Sequence, residues 1–400
     1  MKLVLSSGCD TPHCDTPHCD TPHCDTPHCD APHCDTAAFS LFQSPFWARF
    51  QSLRGIDARM FTVHPEPGIA GCDPSGAVCD PVGVFPLLVL IREGPAGMRY
   101  AYVPRGPEVE LEEGERGSFL EQLSLALAPL LKGGIACIRY DTAFDSPYTD
   151  REYWSSSGQW KGAPRAQIRE LRMNFGTEYR ALRKAPRDHL CPDTVILDLR
   201  STEDEILSRM RQTTRNSIRR ALKSGAEFRV RGAEWLPEWY RLYRETAERK
   251  GFYFDEPEYF FSLLSCSFAG GRAGAFRSGG LVPRFAVISA EKDGIPLAGC
   301  IIAAYGKHGY YMYAGSSTVM RECMPNYGIQ LEAIRWLKSQ GCETYDLMGV
   351  PPNGDPNHSM YGLYTFKTGL GGSLVHYTGC WDWPLDDEQY ILFRNAENLQ

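Results

Sequence analysis

The fold is decided by the stretch FAVISAEKDGIPLAGCIIAAYGKHGYYMYAGSS, residues 285–317. Two apolar runs, Phe285–Ser289 and Pro296–Ala304, flank Asp293-Gly294, a dipeptide that favours the tight turn of a β-hairpin. Gly309–Tyr313 predicts a further strand directly after the hairpin. These residues therefore predict three successive strands at the centre of a sheet.

Helices and strands continue on both sides of this stretch. Ser201-Thr202-Glu203-Asp204 caps one helix at its N-terminus, and Gly341 ends another. The remaining predicted elements are the strands Thr194–Leu199 and Thr344–Met348 and the helices Leu236–Lys250 and Tyr327–Gln340. The resulting order, β-α-α-β-β-β-α-β, predicts a mixed, acyltransferase-like α/β sheet.

A shorter version of the same order precedes residue 193. Its strands and its helix are predicted at Phe85–Ile91, Arg99–Val103, Phe119–Leu131 and Ile135–Tyr140. A chain of 400 residues is also long for one core and suits two domains. We therefore expect two related α/β domains.

A tandem repeat stands near the start of the chain. Residues 9–33 read CDTPH five times, with Ala31 in place of Thr once, and Cys34-Asp35-Thr36 begins a sixth copy. Proline at every fifth position excludes a helix and a central strand, and the unit has no large apolar side chain. We interpret residues 9–36 as a disordered insert. Binding of Zn²⁺ or Cu⁺ by the cysteines and histidines stays open as the alternative.

Net charge and hydropathy limit the class of protein. The net charge of −7 argues against a surface coated for nucleic acid, so any contact with RNA has to be local. No window of about 18 apolar residues is present, which predicts the absence of a transmembrane helix. Cysteines outside the repeat lie mostly in apolar runs, as in a reducing compartment. We expect a cytoplasmic protein that visits the inner face of the cell membrane if its substrate is lipid-linked.

A basic stripe follows the first strand of the second unit. Residues 206–226 contain six basic residues and no acidic one. The stripe itself consists of Arg211, Arg215, Arg219 and Lys223, four residues apart on one helix face, with Met210, Ile218, Ala221 and Leu222 on the apolar side. Like charges at this spacing repel by a few tenths of a kcal/mol per pair, which indicates an anionic partner such as phosphate or RNA. A solvated helix face is the alternative.

Two further segments are candidates for a site. In the strand around residue 312, alternation sends Tyr311 and Tyr313 to the same face, and small residues after them leave room for a ligand. Tyr345–Gly349 ends in Asp346-x-x-Gly349, and a loop then leads to Lys367 among aromatic and glycine residues. A single buried cation can stabilise a developing oxyanion or hold a phosphate. A core strand and a surface lysine are the respective alternatives.

Together these segments resemble the FemABX family of non-ribosomal peptidyltransferases. The resemblance covers residues 39–372, and its parts occur in the order that the family has. They are Phe42–Arg49, Leu197-Asp198-Leu199, the basic helix Thr214–Ala221, Tyr311–Ser316, Tyr345–Gly349 and Phe366-Lys367.

The resemblance implies a fold and a reaction. The fold is α/β, with two acetyltransferase-like domains and a C-terminal tail that returns to the first domain. In this chain the domains would be residues 1–193, completed by 372–400, and residues 194–371. The reaction is transfer of an amino acid from aminoacyl-tRNA, the co-substrate, to the side-chain amine at the third position of the stem peptide of a peptidoglycan precursor. No cofactor and no metal ion is implied, and we expect a monomer.

The resemblance also implies roles for single residues. Lys367, with Phe366, lies where the ester is cleaved by the amine, and Asp141 follows the first-domain strand. Arg49 contacts precursor phosphate, and Tyr259 faces the cleft between the domains. We assign catalysis to Lys367, Phe366 and Asp141, and substrate binding to Arg49, Tyr259, Tyr311, Tyr313, Asp346, Arg215 and Arg219.

Two departures bear on the precursor. The family member that uses a nucleotide-linked precursor has an arginine where this chain has Asp255, and an aromatic residue where it has Ala136. Both changes favour lipid II over UDP-MurNAc-pentapeptide. Two alternatives remain open for the whole chain: an acyl-CoA-dependent N-acyltransferase of the same fold, and a metal-binding protein that uses the Cys/His repeat.

Overall fold

The computed structural model describes residues 1–6, 39–65, 83–131, 133–156, 158–269 and 281–399. The CDTPH repeat lies outside the described residues, so both interpretations of residues 9–36 stay predictions.

The first half of the chain forms a sheet whose strands are neighbours in chain order. The strands are β1 (Lys2–Leu5), β2 (Asp57–His64), β3 (Phe85–Glu93), β4 (Arg99–Val103) and β5 (Ile135–Asp145), and the helices are α1 (Pro45–Leu53) and α2 (Arg116–Leu127). Neighbouring strands are antiparallel except β4 and β5, which are parallel because α2 crosses between them. Apolar residues of α1 cover one face of the sheet, and those of α2 cover the other.

The second half continues the same sheet in a different strand order. After α3 (Ala166–Met173) and β6 (Arg183–Lys184), its elements are β7 (Asp193–Asp198), α4 (Glu203–Arg209), α5 (Gln212–Lys223), β8 (Glu227–Arg231), α6 (Leu236–Lys250), α7 (Pro257–Ala269), β9 (Arg284–Lys292), β10 (Ile295–Tyr305), β11 (His308–Ser316), α8 (Pro325–Ser339), β12 (Thr344–Gly349), α9 (Tyr361–Gly369), β13 (Ser373–Pro384) and α10 (Asp387–Asn398). The order across this part is β7-β12-β11-β10-β9-β8. The predicted hairpin and the strand after it are therefore confirmed as β9, β10 and β11.

Strand β13 joins the two halves. Its first residues, Ser373 to His376, pair with β7, and the residues from Tyr377 to Pro384 pair with β5. The C-terminal helix α10 then packs against β5. The tail of the chain thus returns to the first half, as predicted, while the division of the chain at residue 193 stays a prediction.

Two local predictions need correction. The sequence predicts a loop from Gly349 to Lys367, but the last part of this segment, Tyr361–Gly369, is the helix α9. Gly362 and Gly369 lower its intrinsic helix propensity, and packing against α5 and α8 outweighs that cost. The sequence predicts Leu222 on the apolar side of the basic helix, but Leu222 is 53% exposed, so the buried side consists of Thr214, Ile218 and Ala221.

Two further findings concern the described residues as a set. None of their helices has both the length and the apolar composition that crossing a membrane requires. In the same part of the chain, no group of three or more His, Cys, Asp or Glu side chains is placed to hold a metal ion.

Candidate functional site

Lys367 has a buried ammonium group beside the end of β12. The residue is 5% exposed, and its Nζ donates hydrogen bonds to the carbonyl oxygens of Met348, at 3.1 Å, and Gly349, at 2.6 Å. Burial lowers the pKa of Lys367 to about 8, although Cys191 and Asp346 oppose this shift. An ammonium group has three N–H donors, so one remains after these two bonds for a bound substrate.

The two carbonyl acceptors owe their direction to an irregularity in β12. The pairing of β12 with β7 changes register between Asp346 and Gly349, and Met348 adopts a left-handed φ of 57°. The Asp346 carboxylate holds this bend, because its Oδ1 accepts hydrogen bonds from Met348 N, at 2.7 Å, and from the Thr194 hydroxyl. Gly349 is required here, since a Cβ at that position would overlap the Cys191 side chain. Asp346 therefore acts on Lys367 through the backbone as well as through its charge.

Arg105, which the sequence analysis did not select, lies between the two halves of the chain. It is 5% exposed and has a left-handed φ of 47°. Its Nη2 donates to the Cys191 carbonyl at 3.1 Å, its guanidinium lies 4.9 Å from the Tyr377 ring centroid, and its buried Nη1 has no acceptor among the described residues. Burial alone would lower the pKa of Arg105, but the carboxylates of Asp141 and Asp346 raise it. The only signal in the sequence is an arginine between Pro104 and Gly106-Pro107 at the end of a strand.

Asp141 belongs to the first half of the chain and is the fourth charged residue at this site. It is fully buried on β5, where its Oδ2 accepts from the Tyr102 hydroxyl and the Leu190 amide, each at 2.8 Å. Its Oδ1 is buried with no donor among the described residues. Burial raises the pKa of Asp141, and Arg105 opposes that shift. We call Asp141, Arg105, Asp346 and Lys367 the junction cluster, because β5 and β12 belong to different halves of the chain.

A second group of predicted residues is aromatic. The hydroxyls of Tyr259, on α7, and Tyr313, on β11, are 2.7 Å apart. The Arg54 guanidinium lies 4.5 Å from the Tyr259 ring centroid and 3.8 Å from the Asp255 carboxylate. Burial raises the pKa of Tyr259 to about 12, so its hydroxyl stays protonated at neutral pH. The structure thus brings Tyr259 and Tyr313 together, as hydrogen-bonding groups rather than as acids.

The prediction that Tyr311 and Tyr313 share one face of the strand is wrong. The pairing of β10 with β11 matches Ile301 with Tyr313 and Ile302 with Tyr311, so Met312 is an extra residue, a β-bulge. A bulge interrupts the alternation of side chains along a strand. Tyr313 therefore packs with Tyr259, while Tyr311 lies on the other face, where its ring centroid is 5.6 Å from Lys367 Nζ.

Phe366 and Arg49 lie in different surroundings. The Phe366 ring packs edge-on against Tyr327 of α8, with 5.2 Å between the ring centroids. Arg49 lies on the exposed side of α1, within electrostatic reach of Cys266 on α7. The roles predicted for these two residues stay predictions.

The basic helix α5 lies beside α9. The Arg211 amide donates to the Gly369 carbonyl at 2.9 Å, which joins the start of α5 to the end of α9. The backbone uses some of the hydrogen-bond donors of Arg215, since its guanidinium donates to the carbonyl oxygens of Ser208, at 3.1 Å, and Met210. Arg219 is exposed and donates to the Asn216 side chain at 2.9 Å. Exposed positive charge therefore continues along α5 from the helix that carries Lys367.

Comparisons with known proteins agree with this arrangement. A mixed sheet that two halves share, with the buried Lys367 of α9 beside the end of β12, is the arrangement of an acetyltransferase-like α/β protein. A family model described as the FemAB family matches residues 33–269 and 285–398. The chain belongs to the FemAB family.

Individual relatives with curated names share fewer than a quarter of the matched residues with this chain. A lipid II:glycine glycyltransferase of Staphylococcus epidermidis is 24% identical over 261 residues, which cover 53% of this chain and 63% of that protein. The corresponding protein of Staphylococcus aureus is 23% identical over 266 residues, with the same coverage of 53% and 63%. The match thus spans less than two thirds of the length of these relatives.

A solved structure confirms the predicted fold class. The crystal structure of FemX superposes with a TM-score of 0.66 at 17% sequence identity, over 90% of this chain and 96% of that chain. At this identity the likeness concerns the fold.

Proposed function

We propose that this chain transfers an amino acid from aminoacyl-tRNA to the side-chain amine at the third position of the stem peptide of a peptidoglycan precursor. Membership in the FemAB family supports the proposal, as do the names of the two staphylococcal relatives. The observation that carries it is the buried ammonium of Lys367, held by two carbonyl oxygens beside Asp346 and Arg105. A fixed cation in a site shielded from water stabilises a developing oxyanion strongly.

The reaction needs few protein groups. The precursor amine attacks the ester carbonyl, a tetrahedral oxyanion forms, and the bond between the carbonyl carbon and the ribose oxygen then breaks. The remaining N–H of Lys367 donates a hydrogen bond to the oxyanion and then to the departing ribose oxygen, which leaves as a hydroxyl after taking up the proton that the amine has lost. The buried Oδ1 of Asp141, which has no donor among the described residues, accepts a proton of the attacking amine. Because the ester is already activated, no stronger base is required.

Arg105 extends this scheme to both halves of the chain. Burial raises the pKa of Asp141, and the Arg105 guanidinium opposes that shift, which favours the carboxylate form that accepts the proton. Its own unpartnered Nη1 is a second donor for the oxyanion or for a carboxylate of the stem peptide. We therefore add Arg105 to the residues that carry the reaction.

We further propose lipid II as the precursor. Asp255 pairs with Arg54, so this position presents a carboxylate where a nucleotide diphosphate would need a cation. Ala136 is 1% exposed and supplies no aromatic surface for a base. Use of lipid II places the chain in the cytoplasm at the inner face of the cell membrane.

Aminoacyl-tRNA is proposed as the donor because of α5. Exposed arginines and Lys223 on this helix lie beside α9 and can pair with phosphates of the acceptor arm. Such contacts release counterions, so the affinity for tRNA should fall steeply as salt rises.

One reconstitution tests the donor and the precursor together. The protein is incubated with a tRNA pool, synthetases and labelled amino acids, with lipid II in one arm and UDP-MurNAc-pentapeptide in the other. We expect label on lipid II and none after ribonuclease treatment. Transfer that survives ribonuclease and requires acyl-CoA would establish the acyl-CoA-dependent alternative instead.

A deletion variant tests the metal-binding alternative. Removal of residues 9–36 should leave the transfer rate unchanged, because the junction cluster contains none of them. A variant that binds no Zn²⁺ and has also lost transfer would contradict this expectation.

A further inference from the structure

A cavity of about 260 Å³ lies beside the junction cluster, on the sheet face that α2 covers. Its walls include four aromatic rings, those of Tyr148, Trp160, Tyr377 and Trp381. Flat aromatic walls bind flat ligands by stacking, and nucleic-acid bases are such ligands. The mechanism proposed above does not use this cavity.

The cavity is also lined by three arginines and three carboxylates. Each carboxylate already has a partner: Glu113 pairs with Arg172, Asp188 with Lys184 and Asp193 with His376. Arg172 forms a bidentate pair with Glu113. Arg116 donates through Nη1 to the Asp145 carbonyl at 2.7 Å, and among the described residues neither Arg116 nor Arg169 has a carboxylate at salt-bridge distance. Two guanidinium groups that form no salt bridge among the described residues favour a ligand with negative charge.

Unused hydrogen-bond donors point to a ligand as well. The Nε of Arg116, the Nε of Arg169 and the indole Nε1 of Trp381 are all buried without an acceptor among the described residues. Trp381 is 2% exposed, so its N–H cannot be satisfied by bulk water. Buried donors in native proteins nearly always have a partner, so three orphans around one cavity indicate a ligand that accepts hydrogen bonds.

The cavity is in contact with the place where the ester has to lie. Tyr377, one of its walls, stacks at 4.9 Å with the guanidinium of Arg105. Pro192 and Pro352, two other lining residues, follow Cys191 and Gly349 closely in the chain, and the Gly349 carbonyl accepts from Lys367. A group in the cavity is therefore separated from the junction cluster by about the thickness of one side chain.

We propose that this cavity binds the 3′-terminal nucleotide of aminoacyl-tRNA, with the base between the aromatic walls and the phosphate at Arg116 and Arg169. This inference rests on the proposed function. The ester is on the terminal ribose, so the base and phosphate of that nucleotide must lie within one nucleotide of Lys367. A carboxylate of the stem peptide would use the arginines but would gain nothing by stacking on the aromatic walls.

The test measures binding of AMP to the full chain, by calorimetry and by quenching of tryptophan fluorescence. Adenosine and inorganic phosphate serve as the two halves of the probe. We expect AMP to bind more tightly than either half, and Arg169→Gln and Arg116→Gln each to weaken AMP about tenfold, the cost of one charge-assisted hydrogen bond. Arg165→Gln is the matched control, because Arg165 is exposed, lies one turn before Arg169 and does not line the cavity.

The possible outcomes are distinct. The proposal would be overturned if all variants bound AMP with equal affinity, or if phosphate bound as tightly as AMP. It would also be overturned if Arg169→Gln lost affinity for the stem peptide while its affinity for AMP stayed unchanged. In transfer assays the same variant should raise KM for aminoacyl-tRNA about tenfold and leave KM for the precursor unchanged. A chain that binds AMP as expected but transfers no amino acid would refute the proposed function and leave the nucleotide site standing.

Discussion

At position 367 a charged side chain is buried against two backbone oxygens, and this contact carries the proposed chemistry. Lys367→Met keeps the volume and removes the ammonium group. We expect the transfer rate to fall on the order of a hundredfold, the loss typical of one oxyanion donor. The rate is measured with saturating lipid II and aminoacyl-tRNA, and a thermal melt reports whether the fold persists.

Lys338 provides a control that separates loss of the catalytic ammonium from loss of stability in Lys367→Met. Its Nζ also donates to two carbonyl oxygens, those of Leu199, at 2.6 Å, and Ser201, but it lies on α8 away from the junction cluster. Lys338→Met should therefore cost similar stability and leave the transfer rate within about twofold, since surface effects on an unrelated site are small. A hundredfold loss in both variants would show that Lys367 acts only through the fold.

The pKa of Lys367 makes a second prediction, for pH. The protonated lysine is the active form, and burial lowers its pKa to about 8 from an ordinary value of 10.5. Transfer should therefore decline as the pH rises through 8, with a midpoint near 8, and this decline should be absent from the residual activity of Lys367→Met. Rates measured from pH 6 to pH 9 on freshly charged tRNA test this, with spontaneous ester hydrolysis subtracted. A decline of the same midpoint in Lys367→Met would assign it to another group.

Among the elements, those set by local sequence could be predicted and those set by a partner strand could not. The hairpin of β9 and β10 follows from Asp293-Gly294, whose turn preference needs no tertiary contact. The bulge at Met312 arises from the pairing with Ile301 and Ile302, which the alternation of residues 311 and 313 does not reveal. The helix α9 was missed because its two glycines hide a segment that tertiary packing stabilises.

Some residues of the candidate site could likewise be predicted from local sequence, and others could not. Lys367 could be selected because it is the one lysine or arginine between residues 345 and 372, and Asp346 because its strand ends in Asp-x-x-Gly. Arg105 could not, since it gains its partners only when β4 meets the turn at Cys191 and the strand with Asp346. Sequence separations of this size leave no local signal, so only the folded chain shows that Asp141 and Asp346 share a cation.

The contact between α6 and β11 depends on one glycine. A Cβ on Gly315 would lie 2.5 Å from the backbone carbon of Leu242 and would overlap Tyr243 as well. Gly315→Ala should therefore push α6 from the sheet and cost about 2 kcal/mol, as overpacking typically does. Tyr243 contacts the ring of Tyr313, so KM for the precursor should rise too. Gly114→Ala is the control in urea unfolding, because nothing lies within 4 Å of its Cβ.

On the scale of the whole chain, a buried ion network fastens the C-terminal tail to the first half. Arg139 on β5 is fully buried and binds both carboxylate oxygens of Asp382 on β13, at 2.6 and 2.8 Å. It also binds both oxygens of Glu397 on α10, at 2.6 and 2.8 Å. Since β13 carries Tyr377 and pairs with β7, this network fixes the position of one half of the chain relative to the other.

Neutralising one member of this network should loosen both halves. Glu397→Gln leaves the charge of Arg139 with less compensation inside the protein, and breaking a buried pair of this kind costs about 3 kcal/mol. The exposed pair of Glu203 and Arg335 has the same bidentate geometry, with contacts of 2.8 and 2.9 Å, so Glu203→Gln is the matched control. Exposed pairs contribute up to about 1 kcal/mol, so the urea midpoint should drop clearly for Glu397→Gln and little for Glu203→Gln. Equal small losses would mean that β-sheet pairing alone, without the ion network, holds the tail in place.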